Sequence, residues 1–146
     1  MIKDNYPLRD FKEKTIFLFV SHGKKGQILK GILFQKIDEV NNYNLAFGDV
    51  INKKLDDEIV SNNGDAKMVI STVVEAVYIF FKTYPEAILE IDPVDKKRTR
   101  FYNYIFKSRY KEIEIGFILK GYSNNQWEQY DIQKSYQKFE IALKKN

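Results

Sequence analysis

The run AKMVISTVVEAVYIFFKTYP at residues 66–85 reads as a strand or as a helix, and the choice decides the fold. Its valines and isoleucines favour a strand, but an uninterrupted stretch over 66–82 far exceeds the usual strand of about five or six residues. On a helical wheel Lys67, Ser71, Glu75, Tyr78 and Lys82 gather into one narrow polar wedge. Val69, Ile70, Val73, Val74, Val77, Phe80 and Phe81 fill a wide apolar arc opposite. The pattern predicts a central helix over 66–82 with Val73, Val77 and Phe80 withdrawn from water. Asp65, closing NNGD, is placed to cap its start, and Pro85 ends it. The run is too short and too interrupted to span a bilayer, so no membrane partner is expected.

Upstream of this helix the chain reads as strands. TIFLFVS at 15–21 is a short strand apolar on both faces, and HGKKG is a Gly-containing turn. QILKGILFQKI at 27–37 returns as a second strand, and YNLAFGDV at 43–50 is a third. NKKLDD turns the chain into EIVS, a short fourth strand at 58–61. Downstream, AILEI at 87–91 is a fifth strand and residues 96–111 form a helix. EIGFILKG at 114–121 and QWEQY at 126–130 form a hairpin across YSNN. Ile132, Tyr136, Phe139 and Leu143, at spacings of 4, 3 and 4, predict a terminal amphipathic helix. The order ββββα–βα–ββα describes an α+β fold, a mostly antiparallel sheet with helices packed on it. Residues 1–146 read as a single domain with 1–14 as an N-terminal extension.

Composition narrows the chemistry. Apolar residues make up 44% and aromatics 15%, a globular balance, and the absence of cysteine excludes disulfides, zinc-thiolate sites and thiol nucleophiles together. A reducing, cytoplasmic location is the simplest reading, since the N-terminal stretch lacks an apolar signal core. Net charge is only +4, but seven of the 24 basic residues lie in 96–111 without one acid. The rest of the chain holds 17 basic against 20 acidic side chains, so one helix supplies the whole positive excess.

On that helix Lys96, Arg100, Lys107 and Lys111 fall within about 60° on one stripe. Phe101, Tyr102, Ile105 and Phe106 take the opposing arc, which assigns the aromatics mainly to the core and not to base stacking. Arg98 and Arg109 project near the apolar arc, where an arginine must snorkel, find a carboxylate or grip an anion. The candidate anion-binding set is therefore Lys96, Arg98, Arg100, Lys107, Arg109 and Lys111.

Other motifs carry less. SHGKKGQ lacks phosphate-loop spacing and leads into a strand, so it is a hairpin turn with exposed lysines. His22 is the lone histidine, which excludes a histidine-cluster metal site. Asp49, Asp56, Asp57, Glu58 and Asp65 match no cation-loop template, and turn, cap and edge roles account for them. Asn62, Asn63 and Gly64 fit unusual backbone angles before a helix. No cofactor motif is present.

Four stretches, SHGKKGQILK at 21–30, YNLAFGD at 43–49, NNGD at 62–65 and RTRFY at 98–102, together resemble a family of uncharacterised bacterial proteins, a domain of unknown function of about this length. The likeness runs from roughly Thr15 to Tyr136, and NLAFGD and NNGD are its most distinctive parts. It departs at His22 and Lys24, where an acidic residue and a proline are expected, and at Ile91-Asp92, where a Gly-Ser pair is expected. The resemblance implies a bacterial, cytoplasmic, single-domain protein and no particular activity.

Three functions remain open on the sequence. One is a non-catalytic binding module whose basic helix contacts nucleic-acid phosphates or an acidic protein. Another is a metal-independent ribonuclease of the toxin–antitoxin kind, with Arg98 and Arg100 stabilising phosphate charge and Tyr102 or His22 moving the proton. The third is a protein-interaction domain, with a homodimer as one form. The missing acid/base constellation favours the binding module over an enzyme.

Overall fold

The computed structural model describes residues 4–56 and 62–145, and within them it has two helices and a mostly antiparallel nine-stranded sheet. The elements run β1 (Arg9–Phe11), β2 (Ile16–Gly23), β3 (Gly26–Lys36), β4 (Asn42–Ile51), β5 (Lys54–Asp56) and α1 (Ala66–Thr83). They continue as β6 (Ile88–Ile91), α2 (Lys96–Gly116), β7 (Phe117–Ser123), β8 (Gln126–Gln129) and β9 (Lys138–Leu143). The strand predicted at 58–61 lies outside the described residues. The chain divides into two compact units, Met1–Gln35 with Ala46–Tyr84 and Lys36–Leu45 with Pro85–Asn146.

In the first unit β1, β2 and β3 pair antiparallel in sequence order, and β5 pairs antiparallel with β4. Register puts Phe17 opposite Ile32 and Phe19 opposite Lys30, so these residues share one face. Phe34 of that face stacks on Phe80 of α1 with ring centroids 4.2 Å apart, and Phe17 meets Phe34 edge-on at 5.7 Å. Each fully buried phenylalanine contributes about 1.5–3 kcal/mol, which is why the helical reading of 66–82 wins over its β propensity. Val73 and Phe80 are buried as expected, whereas Val77 is only half-buried. Thr72 takes a core position in its place, donating back to Met68 O and accepting the Tyr6 N–H at 2.8 Å. Part of the stretch read as an extension is thus built in, through buried Tyr6 and through β1.

In the second unit the strands run β6-β9-β7-β8, all antiparallel. The exception to the antiparallel rule is the start of β4, where Asn42, Tyr43 and Asn44 pair parallel with Ile88, Leu89 and Glu90. Helix α2 packs through Phe106, 4.5 Å from Phe139, and Tyr110, 4.9 Å from Tyr130. It runs to Gly116, so the strand predicted from 114 begins only at Phe117. Ile113 extends the buried arc by a further turn and its carbonyl accepts from the Phe117 N–H. The Asn-Asn pair of YSNN takes positive φ at both residues, 51° and 64°, which is the turn a two-residue hairpin needs.

The terminal helix predicted from Ile132 to Leu143 is not formed. Residues 138–143 are strand β9, hydrogen-bonded between β6 and β7. Phe139 and Ile141 alternate into the core while Lys138 and Glu140 face the other way half-exposed, and Ile132 is exposed. A period of two was present beside the helical one, and pairing on both edges decided between them.

Candidate functional site

The SHGKKG turn and the NNGD motif meet, and Asn63 joins them. Its carbonyl accepts from Lys24 N–H at 3.1 Å and its Oδ1 from Lys25 N–H at 2.6 Å, while its Nδ2 donates to Gly26 O at 2.9 Å and Ser21 Oγ at 3.1 Å. Gly23 is required for this approach, because a Cβ there would sit 1.8 Å from Asn63 O. Asp65 does not cap α1 with its side chain. Its Oδ2 is taken instead by the hydroxyls of Tyr6 and Ser21, each at 2.5 Å. Burial, with the Asp65 carboxylate adding to it, pushes the Tyr6 phenol up. Tyr6, Ser21 and Asn63 are buried and Asp65 is half-buried, so this cluster clasps chain segments together.

NLAFGD and the end of SHGKKGQILK form a second buried contact. Lys30 Nζ on β3 lies 2.6 Å from Asp49 Oδ1 on β4, with side chains only 1% and 5% exposed. Asp49, a candidate cation ligand by composition, is thereby committed to an ammonium. Sequence reasoning passed over Lys30, Tyr6 and Ser21. A lysine alternating in register with Ile32 and Phe34 on an apolar strand was the available signal.

Helix α2 carries the charge. Lys96, Lys97, Arg100, Lys107 and Lys111 are exposed, and none has an ion pair among the described residues. Arg109 is half-buried and bonds Glu112 Oε1 at 3.1 Å. Arg98 is buried. Its backbone N–H is accepted by the N-cap Asp95 at 2.8 Å and its Nη1 reaches Asp95 Oδ2 at 3.2 Å, but its Nε and Nη2 are buried without a partner among the described residues. Tyr102 is buried on the same side. Of the ribonuclease candidates on α2, only Arg100 faces solvent. His22 is exposed on β2 in the first unit, its ring 5.8 Å from that of Tyr6, beside an open groove of about 500 Å³ lined by Phe11, Leu18 and Leu29.

The assignment of the helix aromatics to the core holds for Tyr102 and Phe106 and fails for Tyr104. Tyr104 is 58% exposed, and among the described residues it has neither a ring neighbour nor a hydrogen-bond partner. At 100° per residue it projects about 80° from Lys96, at the edge of the cationic stripe beside Lys111 and Lys97, and along the helix it lies between Arg100 and Lys107.

The chain belongs to DUF6934, a family of unknown function, whose model matches residues 2–144. No curated protein and no solved structure gives a significant match. No helix among the described residues is long and apolar enough to cross a membrane.

Proposed function

We propose that this protein is a non-catalytic binding module that uses the basic face of α2 to hold an anionic polymer in the cytoplasm. One observation carries the reading: five exposed cations on a single helix, none paired with a carboxylate among the described residues. Ordinary solvated helices mix signs at i, i+4, because each such pair adds a few tenths of a kcal/mol. The five exposed cations forgo such pairs, which leaves their charge available to a partner, and the local potential attracts polyanions even though net charge is only +4.

Contacts of this kind go to phosphate or carboxylate oxygens and carry little sequence preference. The experiment is titration of a short labelled RNA, followed by fluorescence anisotropy, at two salt concentrations. With five cations engaged, affinity falls about 100-fold between about 50 and 200 mM salt. Lys107→Ala with Lys111→Ala lowers both the affinity and the salt slope. Salt-independent binding, or a double variant that binds like the parent, rejects the basic face as the contact surface.

A further inference from the structure

Tyr104 stands among the cations of α2 and is 58% exposed. Arg100 precedes it by four residues and Lys107 follows by three, so each cation lies about one helical turn away, with Cβ atoms about 5–6 Å apart. Lys111 continues the stripe a turn further on. Among the described residues the ring packs against no other aromatic residue, its hydroxyl makes no hydrogen bond, and more than half of the side chain is in water. The neighbouring aromatics behave otherwise: Tyr102 and Phe106 are buried, and Phe101 and Tyr110 are half-buried with ring partners.

Two polyanions could meet such a face, and they differ in what they offer the ring. A duplex presents phosphates but hides its base faces in the stack, so a helix lying on it would use the cations and leave Tyr104 idle. A single strand presents phosphates and unstacked bases together, and alternating cations with an exposed aromatic is the arrangement that engages both. An acidic protein would also satisfy the charge. Protein interfaces, however, are depleted in lysine at their centre and concentrate their apolar area there. Here the aromatic stands midway along the helix at the edge of the cationic stripe, one turn from Arg100 and one from Lys107.

We infer that the partner of α2 is a single-stranded nucleic acid, with Tyr104 stacking on one base while Arg100 and Lys107 hold phosphates beside it. This rests on the binding reading above and specifies its ligand. Stacking on a π-face is tolerant of base identity, so the site reads strandedness and not sequence.

The test measures affinity of the full chain for a single-stranded RNA, the same sequence as a duplex, and polyglutamate, in the parent, Tyr104→Ala and Tyr104→Trp. The inference expects the single strand to bind more tightly than the duplex or polyglutamate. Tyr104→Ala should weaken single-strand binding about 5- to 150-fold without changing the salt slope, and Tyr104→Trp should restore it. Because Tyr104 is exposed, both variants should melt with the parent, which separates loss of stacking from loss of fold. Equal binding of single strand and duplex with a silent Tyr104→Ala overturns the stacking site and leaves an electrostatic binding module standing. Preference for polyglutamate overturns the inference in favour of an acidic protein. Absence of binding to all three polymers overturns both this inference and the binding reading.

Discussion

Lys30 and Asp49 form an ion pair of 2.6 Å inside the first unit, with Phe47's ring centroid 6.0 Å from the ammonium. Taking both charges out of water costs several kcal/mol per ion, and their attraction offsets this only while both are present. The pair is therefore a lock on the β3–β4 pairing. Lys30→Met strands a buried carboxylate and is expected to cost about 3–5 kcal/mol, as is Asp49→Leu. The double variant should recover a large part of the loss, giving a coupling of more than about 1 kcal/mol in a urea-denaturation cycle. Additive single losses would mean that the two charges do not depend on each other.

Asn63 uses both ends of its amide and its own carbonyl to hold the β2–β3 turn. Alanine there removes the partner of Lys25 N–H and Gly26 O, which are part-buried, and breaks the buried bond to Ser21 Oγ. Each lost bond is worth about 0.5–1.5 kcal/mol net, and a group left unsatisfied in the interior costs about 1–3 kcal/mol. Asn63→Ala is expected to lower stability by about 2–4 kcal/mol in chemical denaturation. Gly23→Ala should be worse, since its Cβ would lie 1.8 Å from Asn63 O, and the clash is with backbone. Soluble Gly23→Ala with parental stability would show that this clasp can open at little cost.

Tyr136 provides a pH signature. Its hydroxyl donates to Glu128 Oε2 at 2.7 Å and accepts from Asp131 N–H at 2.9 Å. Its ring covers Gly121, where a Cβ would lie 2.4 Å away. Burial, and then the Glu128 bond, push its pKa from 10.0 up to about 12. Below pH 10 the phenol is neutral in both folded and unfolded chains and contributes no slope. Between 10 and about 12 the unfolded chain loses the proton and the folded chain keeps it, so stability falls as pH rises. Tyr6 and Tyr130, both raised chiefly by burial, steepen the same limb. Tyr136→Phe should flatten the decline in Tm above pH 10 while costing about 1 kcal/mol at neutral pH. An unchanged alkaline limb would remove Tyr136 as its source.

Most of the fold was legible because it rests on patterns that local chemistry sets. The 66–82 arc, the strand runs bounded by glycine and asparagine, and the YSNN turn each have one good solution. The terminal segment was not legible, because Phe139 and Leu143 fit a helix while Phe139 and Ile141 fit a strand, and only the edges of β6 and β7 chose. The site divides similarly. The basic stripe and the position of Arg98 near the apolar arc follow from helix geometry. Lys30 left only its alternation with Ile32 and Phe34 as a sign of burial, against the rule that a strand lysine is ordinarily on the wet face, and its partner lies 19 residues away. Tyr104 was absorbed into a general reading of the helix aromatics, although its own wheel position already set it on the cationic side.

Arg98 separates what α2 needs for folding from what it offers a partner. Its position near the apolar arc left it to snorkel, find a carboxylate or grip an anion, and it is buried with one nitrogen on the Asp95 carboxylate. Among the described residues Nε and Nη2 are buried without partners, so the guanidinium carries a desolvation cost that an apolar side chain of similar length would remove. The N-cap bond from Asp95 goes to the main-chain N–H of residue 98 and survives any substitution but proline. Arg98→Met should therefore unfold within about 1 kcal/mol of the parent, or above it, whereas Arg98→Ala loses the packed stem and costs about 1–3 kcal/mol. Because the guanidinium is turned away from solvent, Arg98→Met should leave RNA affinity within about twofold, while Arg100→Ala lowers it and reduces the salt slope by about one contact. Urea denaturation and the anisotropy titration together decide it. An Arg98→Met protein more than about 2 kcal/mol less stable would mean that the guanidinium is satisfied in solution. A stable Arg98→Met protein that no longer binds RNA would move the anion site from the exposed stripe to the buried arginine.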